Sequence, residues 1–349
     1  MFGPASGPRG YLNCGFEHEF ESIYFNRGIS SEKWLCGASF AALRFVALLA
    51  TISSRESKRS TCSNRLNYTD ELIREFADMR YREGDTAETL KPMMERIFQL
   101  ITPKRLLSNM LNHPSVNLVI FVAALKPHHR HYSDTRLKGL LVYLAARRAV
   151  QEAGLHSVVE QLCFYTGPNP PDFLHCHTSK RLNRRIRFVR LTQDNIHQVL
   201  HATTCIPFVQ ERCEYIEGVG HGLFMDGAIA SFMLNVELAE IEKPAILLGD
   251  LPDGKVYPTA FDYYFPWRKP PVSYFRNCSV VCPTPQFVEA LPDKKAPTVR
   301  DWFKKEYIDR PELRTQKWAL AYRLSVVSLV SQIAHELTFC RRTFLENGK

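Results

Sequence analysis

The stretch "VNLVIFVAAL", residues 116 to 125, constrains the fold more than any other. It is a continuous β-rich run, and a strand of that kind suits a sheet covered on both faces. Shorter strand patterns stand at "KWLC", "RIRFVRL", "PAILLGDLP" and "NCSVVCPTP". Helical patterns separate them, around 11–24, 39–52, 70–80, 86–101, 103–112, 135–153 and 192–206, with a last one over 315–345. Strands alternating with helices imply a layered α/β domain whose central sheet is mostly parallel and flanked by helices.

With 349 residues, 45% of them hydrophobic, the chain can bury a substantial core, and one compact domain is the expectation. The longest apolar run, 38–52, contains Arg44 and is shorter than the roughly 20 residues that span a bilayer. Ten cysteines occur without a C-x-x-C pair, which points to reduced thiols and a cytoplasmic protein whose membrane contact is peripheral. The formal charge of +9 favours phosphate-bearing partners. The densest basic run, "KRLNRRIRFVR", reads first as a solvated strand with its approach and second as a lipid-headgroup patch. Nucleic acid is not expected, since no recognition motif accompanies the charge.

"GASFA", residues 37 to 41, places Ser39 where a short strand candidate turns into an apolar helix. In the G-x-S-x-G nucleophile elbow such a turn exposes a serine hydroxyl at a helix N-terminus, although a Gly-x-Ser turn also serves as a plain helix cap. Here Ala41 stands for the second glycine. Far downstream, "GLFMDGAIASF" sets Asp226 in a sharp turn followed by Gly227 and Ala228. Near the start, "ASGPRG" carries Gly7, Arg9 and Gly10 in a Gly- and Pro-rich loop.

These three motifs, in the order loop, serine, aspartate, resemble the patatin-like phospholipase family. The family's motifs are G-G-G-x-[RK]-G, G-x-S-x-G and D-G-[GA], and Pro266-Trp267-Arg268 resembles a segment of its bacterial-like members. The resemblance implies a three-layer patatin-like fold, with a catalytic domain over 1–310 and a helical extension over 311–349 packed on it. It implies a lipid acyl hydrolase, a serine esterase that cleaves carboxylic esters of membrane lipids through a Ser39–Asp226 dyad and an acyl-enzyme, without metal or cofactor. The oxyanion hole would come from backbone N–H groups at Ser6, Gly7, Arg9 and Gly10. Phe40, Leu43 and the aromatic loop 263–267 would hold the acyl chain.

The chain departs from the family pattern at Ala5 and Ser6, where glycine is preferred, and at Pro8, which has no N–H. Only four residues precede Ala5, so the buried strand that leads into this loop in the family is expected to be missing or cut short. A catalytically impaired relative, acting as a lipid-surface or protein-binding module, is therefore the alternative. Lesser readings are zinc at His128, His129 and His131 or at His175-Cys176-His177, and a cysteine nucleophile at Cys36 or Cys205. His197 and His201 stand at helical i, i+4 spacing, read as a polar face before a ligand pair. His18 reads as a helix-surface residue.

Overall fold

A computed structural model describes residues 1–27, 32–57, 66–79, 87–129, 131–150, 155, 157–175, 186–233, 245–252, 254–265, 267 and 278–335. The chain is an α/β protein. Its strands are β1 (Phe2–Gly3), β2 (Lys33–Gly37), β3 (Val116–Leu125), β4 (Val159–Tyr165), β5 (Ile186–Arg190), β6 (Cys213–Ile216), β7 (Gly220–Asp226), β8 (Ala245–Leu248) and β9 (Cys278–Val281). They form one sheet in the order β5-β4-β3-β2-β1-β8-β9, with β7 pairing both β3 and β6. Most of the pairs are parallel; β3 with β4, β3 with β7 and β6 with β7 are antiparallel.

The helices are α1 (Cys14–Arg27), α2 (Phe40–Ser57), α3 (Tyr68–Asp78), α4 (Ala87–Ile101), α5 (Lys104–Leu111), α6 (Asp134–Val150), α7 (Asp172–His175), α8 (Ile196–Thr204), α9 (Pro285–Glu289), α10 (Lys305–Asp309) and α11 (Pro311–His335). A 3-10 helix, Gly7–Asn13, precedes α1 and takes the first part of the single helix expected over 11–24.

All ten residues of β3 are buried, as its composition requires of a central strand. The strand expected at the N-terminus to be missing or cut short is present as β1. Two residues long, it lies in the sheet interior, with Phe2 beside both Cys36 of β2 and Leu247 of β8. Shortness is tolerated there because parallel neighbours on both edges satisfy its backbone, and the Met1 amino group donates to the Trp34 carbonyl at 2.6 Å. β4 and β6 left no clear trace in the sequence. β4 has buried positions on both faces, and β6 is a four-residue arm of a hairpin.

β3 sets the register of the functional region. β4 pairs with it over Val119–Leu125 and so occupies most of one edge. β2 pairs with 116–120 and β7 with 122–124, so these two strands must share the opposite edge. β2 runs parallel to β3 and β7 antiparallel, so they approach head to head: Gly37 lies opposite Ile120, and Asp226 opposite Val122.

α2 is buried over most of its length and packs directly on the sheet. The approach is close enough to require glycine: a Cβ on Gly37 would lie 2.9 Å from the Ala41 Cβ, and one on Gly3 would lie 2.8 Å from it. The Ala41 methyl group fills the space the two strand glycines leave. In the second turn of this apolar helix Arg44 is fully buried. Its guanidinium donates to the Gly10 carbonyl and pairs with the equally buried Glu17 at 3.3 Å, tying the loop before α1 to α2. Burial pushes the Glu17 carboxyl up, while Arg44 favours its ionised form.

α11 closes the helical layer that contains α1. Trp318 lies 5.4 Å from Tyr11 and 5.4 Å from Trp302, ring centre to ring centre, inside the main core. Residues 336–349, at the end of the expected C-terminal extension, lie outside the described residues.

Glu17→Ala should destabilise the protein by about 3 kcal/mol in a denaturant titration, because it leaves Arg44 charged, buried and without its counter-ion. Glu17→Gln, which keeps a side-chain acceptor, should cost less.

Candidate active site

Where β2 ends, the backbone turns sharply. Ser39 has φ of +53°, an unusual value for a residue with a side chain, and α2 begins at the next residue. The turn lifts the Ser39 side chain out of the sheet toward the place where β7 ends. Ser39 Oγ donates a hydrogen bond to Asp226 Oδ2 at 2.7 Å. Both residues are buried, with 8% and 5% of their surfaces exposed.

The aspartate is held from three sides. Its N–H donates to the Cys205 carbonyl at 2.9 Å, and its Oδ1 accepts from the Ala228 N–H at 2.8 Å. Gly227 makes the turn possible, since a Cβ there would fall 2.2 Å from the Phe121 carbonyl oxygen and 2.7 Å from the Ala38 Cβ. Burial pushes the Asp226 carboxyl up to about 7, against the hydrogen bonds from Ala228 N–H and Ser39 Oγ that favour its charged form. A carboxylate poised there can take a proton from an alcohol and return it at ordinary pH.

Thr203, near the end of α8, completes the arrangement and was not singled out in the sequence. Its hydroxyl accepts the Ser39 N–H at 2.9 Å and donates to the Phe121 carbonyl at 2.7 Å. Phe121 is the β3 residue between the registers of Gly37 and Asp226, so one side chain bridges the break between the two strands. A lone threonine in "HATTC" carries no signal that local pattern could pick out.

The loop of Ser6, Gly7, Arg9 and Gly10 follows β1. Since Gly3 pairs with Gly37, the loop leaves the same end of the sheet as the Ser39 turn. Ala5 shares an apolar cluster with Ala38 and Ala228. Its N–H groups are largely engaged: Ala5 donates to Phe232, Ser6 to Pro4 and Arg9 to Ser6. These bonds correct the expectation that the Ser6 and Arg9 amides point at an oxyanion. The Arg9 side chain pairs with the buried Asp250 at 3.4 Å. Gly10 serves close packing, because a Cβ there would fall 2.6 Å from Phe40 Cδ1. Gly7, at φ +52°, opens the 3-10 helix, whose first amides have no partner within the helix. The Phe40 N–H, at the head of α2, stands beside Ser39 at the positive end of the helix dipole.

Other sequence expectations resolve differently. Phe40 and Leu43 are core residues, with Phe40 stacked on Tyr11 at 5.7 Å, so neither lines an acyl site. The Cys36 and Cys205 thiols are each pushed up to about 12 by burial, which leaves them protonated and poor nucleophiles. His18 is half-buried and bonds Asp70 and Tyr322, joining α1, α3 and α11. His197 and His201 line a cavity of about 430 Å³ between α4 and α8, where His197 bonds Thr102 at 2.7 Å and His201 the Glu211 carbonyl at 3.0 Å. His129 bonds Tyr132. Cys176 and His177, with most of the basic run from Lys180, lie outside the described residues. Among the described residues no group of three or more His, Cys, Asp and Glu side chains could hold a metal ion.

Thr203→Val should destabilise the protein by about 2 kcal/mol in a denaturant titration, because it orphans both the Ser39 N–H and the Phe121 carbonyl in a buried site. Thr203→Ser, which restores the hydroxyl, should recover most of the loss.

Comparison of the chain with protein-family models, with curated proteins and with solved structures finds no match in any of the three.

Proposed function

We propose that the protein is a serine acyl hydrolase that cleaves carboxylic esters of lipids through Ser39 and Asp226, in the manner of the patatin-like phospholipases its motifs resemble. The observation that carries this reading is the 2.7 Å hydrogen bond from Ser39 Oγ to Asp226 Oδ2, made across a strand break at a residue with positive φ. Strained backbone is kept where the surroundings over-determine it, and such sites are often functional.

In the forward step Asp226 accepts the hydroxyl proton as Ser39 Oγ forms a bond to the ester carbonyl carbon. The negative charge that develops on the carbonyl oxygen is met by the Phe40 N–H and the end of α2, with Gly7 as the loop donor. Collapse of this intermediate breaks the carbon–oxygen bond to the alcohol, which leaves with the proton from Asp226. Water then attacks the acyl-enzyme with Asp226 again as base, releasing the fatty acid. Among the described residues no helix is long and apolar enough to cross a membrane. A peripheral encounter with the lipid surface, aided by the +9 charge, fits that chain.

A second reading, a catalytically impaired binding module, is favoured by one observation: the Ala5, Ser6 and Arg9 amides are spent on other carbonyls. Labelling with a fluorophosphonate separates the two. The hydrolase predicts labelling of the wild-type protein that disappears in Ser39→Ala with the fold unchanged. Absence of labelling in folded wild type supports the binding module instead.

The pH profile follows from the raised carboxyl. The dyad needs Asp226 ionised, and in the folded protein this group keeps its proton up to about 7. The kcat/KM for a neutral ester should therefore rise with pH through a single ionisation near 7 and level off above it. A rate already flat at pH 5 would rule out Asp226 as the base.

A further inference from the structure

α6 buries only part of its surface. Leu137 and Leu144 sink into a cluster with Met225, Ile229 and Ala230, the residues on either side of the Asp226 turn. On the outward side Val142 is 70% exposed and Tyr143 52%. Two other segments add rings: Tyr264 is 66% exposed, Trp267 65% and Phe208 44%. Both segments touch α6. Trp267 Nε1 donates to the Ala149 carbonyl at 3.2 Å, and the Lys138 ammonium stands 5.1 Å from the centre of the Phe208 ring.

Two features show what this patch is suited to meet. Phe208 has φ of +68°, a rare state for a bulky residue, and sits on the loop that follows Cys205, whose carbonyl holds Asp226. A strained backbone thus keeps an aromatic ring partly in water, next to the segment that supports the dyad. The second feature is charge: α6 carries Arg136, Lys138 and Arg147, and its acidic residue, Asp134 at the first position, is paired by Arg212. The Arg147 guanidinium lies 5.8 Å from the Tyr143 ring centre, as Lys138 lies by Phe208. Protein–protein interfaces deplete lysine at their apolar core, whereas tryptophan and tyrosine interleaved with lysine and arginine are the composition of the membrane–water boundary.

We propose that the outer face of α6, together with Phe208, Tyr264 and Trp267, docks the protein on an anionic lipid bilayer. The rings enter the headgroup layer, and the cations of α6 meet headgroup phosphates and carboxylates. The inner face of the same helix rests on the strand and turn that carry Asp226, so docking sets the dyad one helix layer from the lipid. The proposal extends the lipid acyl hydrolase reading to where the protein meets its substrate, but docking is measurable without catalysis.

The test uses the full chain carrying Ser39→Ala, so that lipid is not consumed, co-sedimented with vesicles of phosphatidylcholine alone or mixed equally with phosphatidylserine. Binding should require phosphatidylserine. Lys138→Glu with Arg147→Glu should weaken it about tenfold or more, from the loss and reversal of two surface cations. Val142→Ser with Tyr143→Ser, both on the exposed side of α6, should weaken it as well. In the wild-type background, both double variants should retain hydrolysis of a soluble short-chain ester and lose hydrolysis of vesicle lipid. Variants that bind vesicles as the parent does, or a parent that binds none, overturn the proposal; equal binding to phosphatidylcholine overturns the anionic specificity. Vesicle binding by a wild-type protein that cleaves no soluble ester sinks the hydrolase and leaves the docking face standing.

Discussion

One edge of β3 is divided between two strands that meet head to head, and the candidate site depends on that division. β2 leaves the edge at Ile120 and β7 arrives at Val122, so the chain must turn away on both sides of Phe121. The outgoing turn carries Ser39 and the incoming one ends at Asp226. Their side chains meet because both strands are measured against the same ten-residue ruler, and a one-residue slip of either would flip its side chains to the other face of the sheet. The break leaves the Phe121 carbonyl for Thr203 to satisfy, and that threonine also holds the Ser39 amide. Buried backbone groups rarely go unpaired, so a gap in a central sheet calls for a bridge of this kind.

Close approach is the second constraint. α2 lies so near the sheet that Gly3 and Gly37 cannot carry a Cβ, and Gly227 has the Phe121 carbonyl where its Cβ would be. The same nearness brings the head of α2 to the serine, where its first amides and dipole can act on a developing anion. Burying Arg44 inside that helix costs desolvation energy, which the Gly10 carbonyl and Glu17 offset by anchoring the loop that follows β1. The loop is thereby fixed next to the elbow although β1 has only two residues.

The legibility of the sequence followed the range of the interactions. β3 stood out because a strand buried on both faces needs apolar residues throughout, and α2 because its apolar run starts at a Gly-x-Ser turn. Gly37, Ser39, Asp226 and Gly227 were legible as two short motifs at sharp turns, and it was their order along the chain, which resembles a known family, that singled them out. β1 was not, since two residues carry no period. Nor was β6, a four-residue hairpin arm. Thr203 was invisible because its task joins Ser39 to Phe121, residues far from it along the chain. The loop amides could not be assigned from motif alone, because whether an N–H points at a ligand or at Pro4, Ser6 or Phe232 depends on backbone torsions that many sequences share.

By itself the sequence determined the class of the fold and the chemical types at the site: a strand that must be central, a helix that must be buried, a serine and an aspartate in sharp turns. Those properties follow from solvent exclusion and local sterics, which act on neighbouring residues. The tertiary structure alone decided that the serine and the aspartate lie within hydrogen-bonding distance, that burial carries the carboxyl to about 7, and that an aromatic and cationic face of α6 is left uncovered. Each of these is set by long-range register and packing, which no local pattern in the chain encodes.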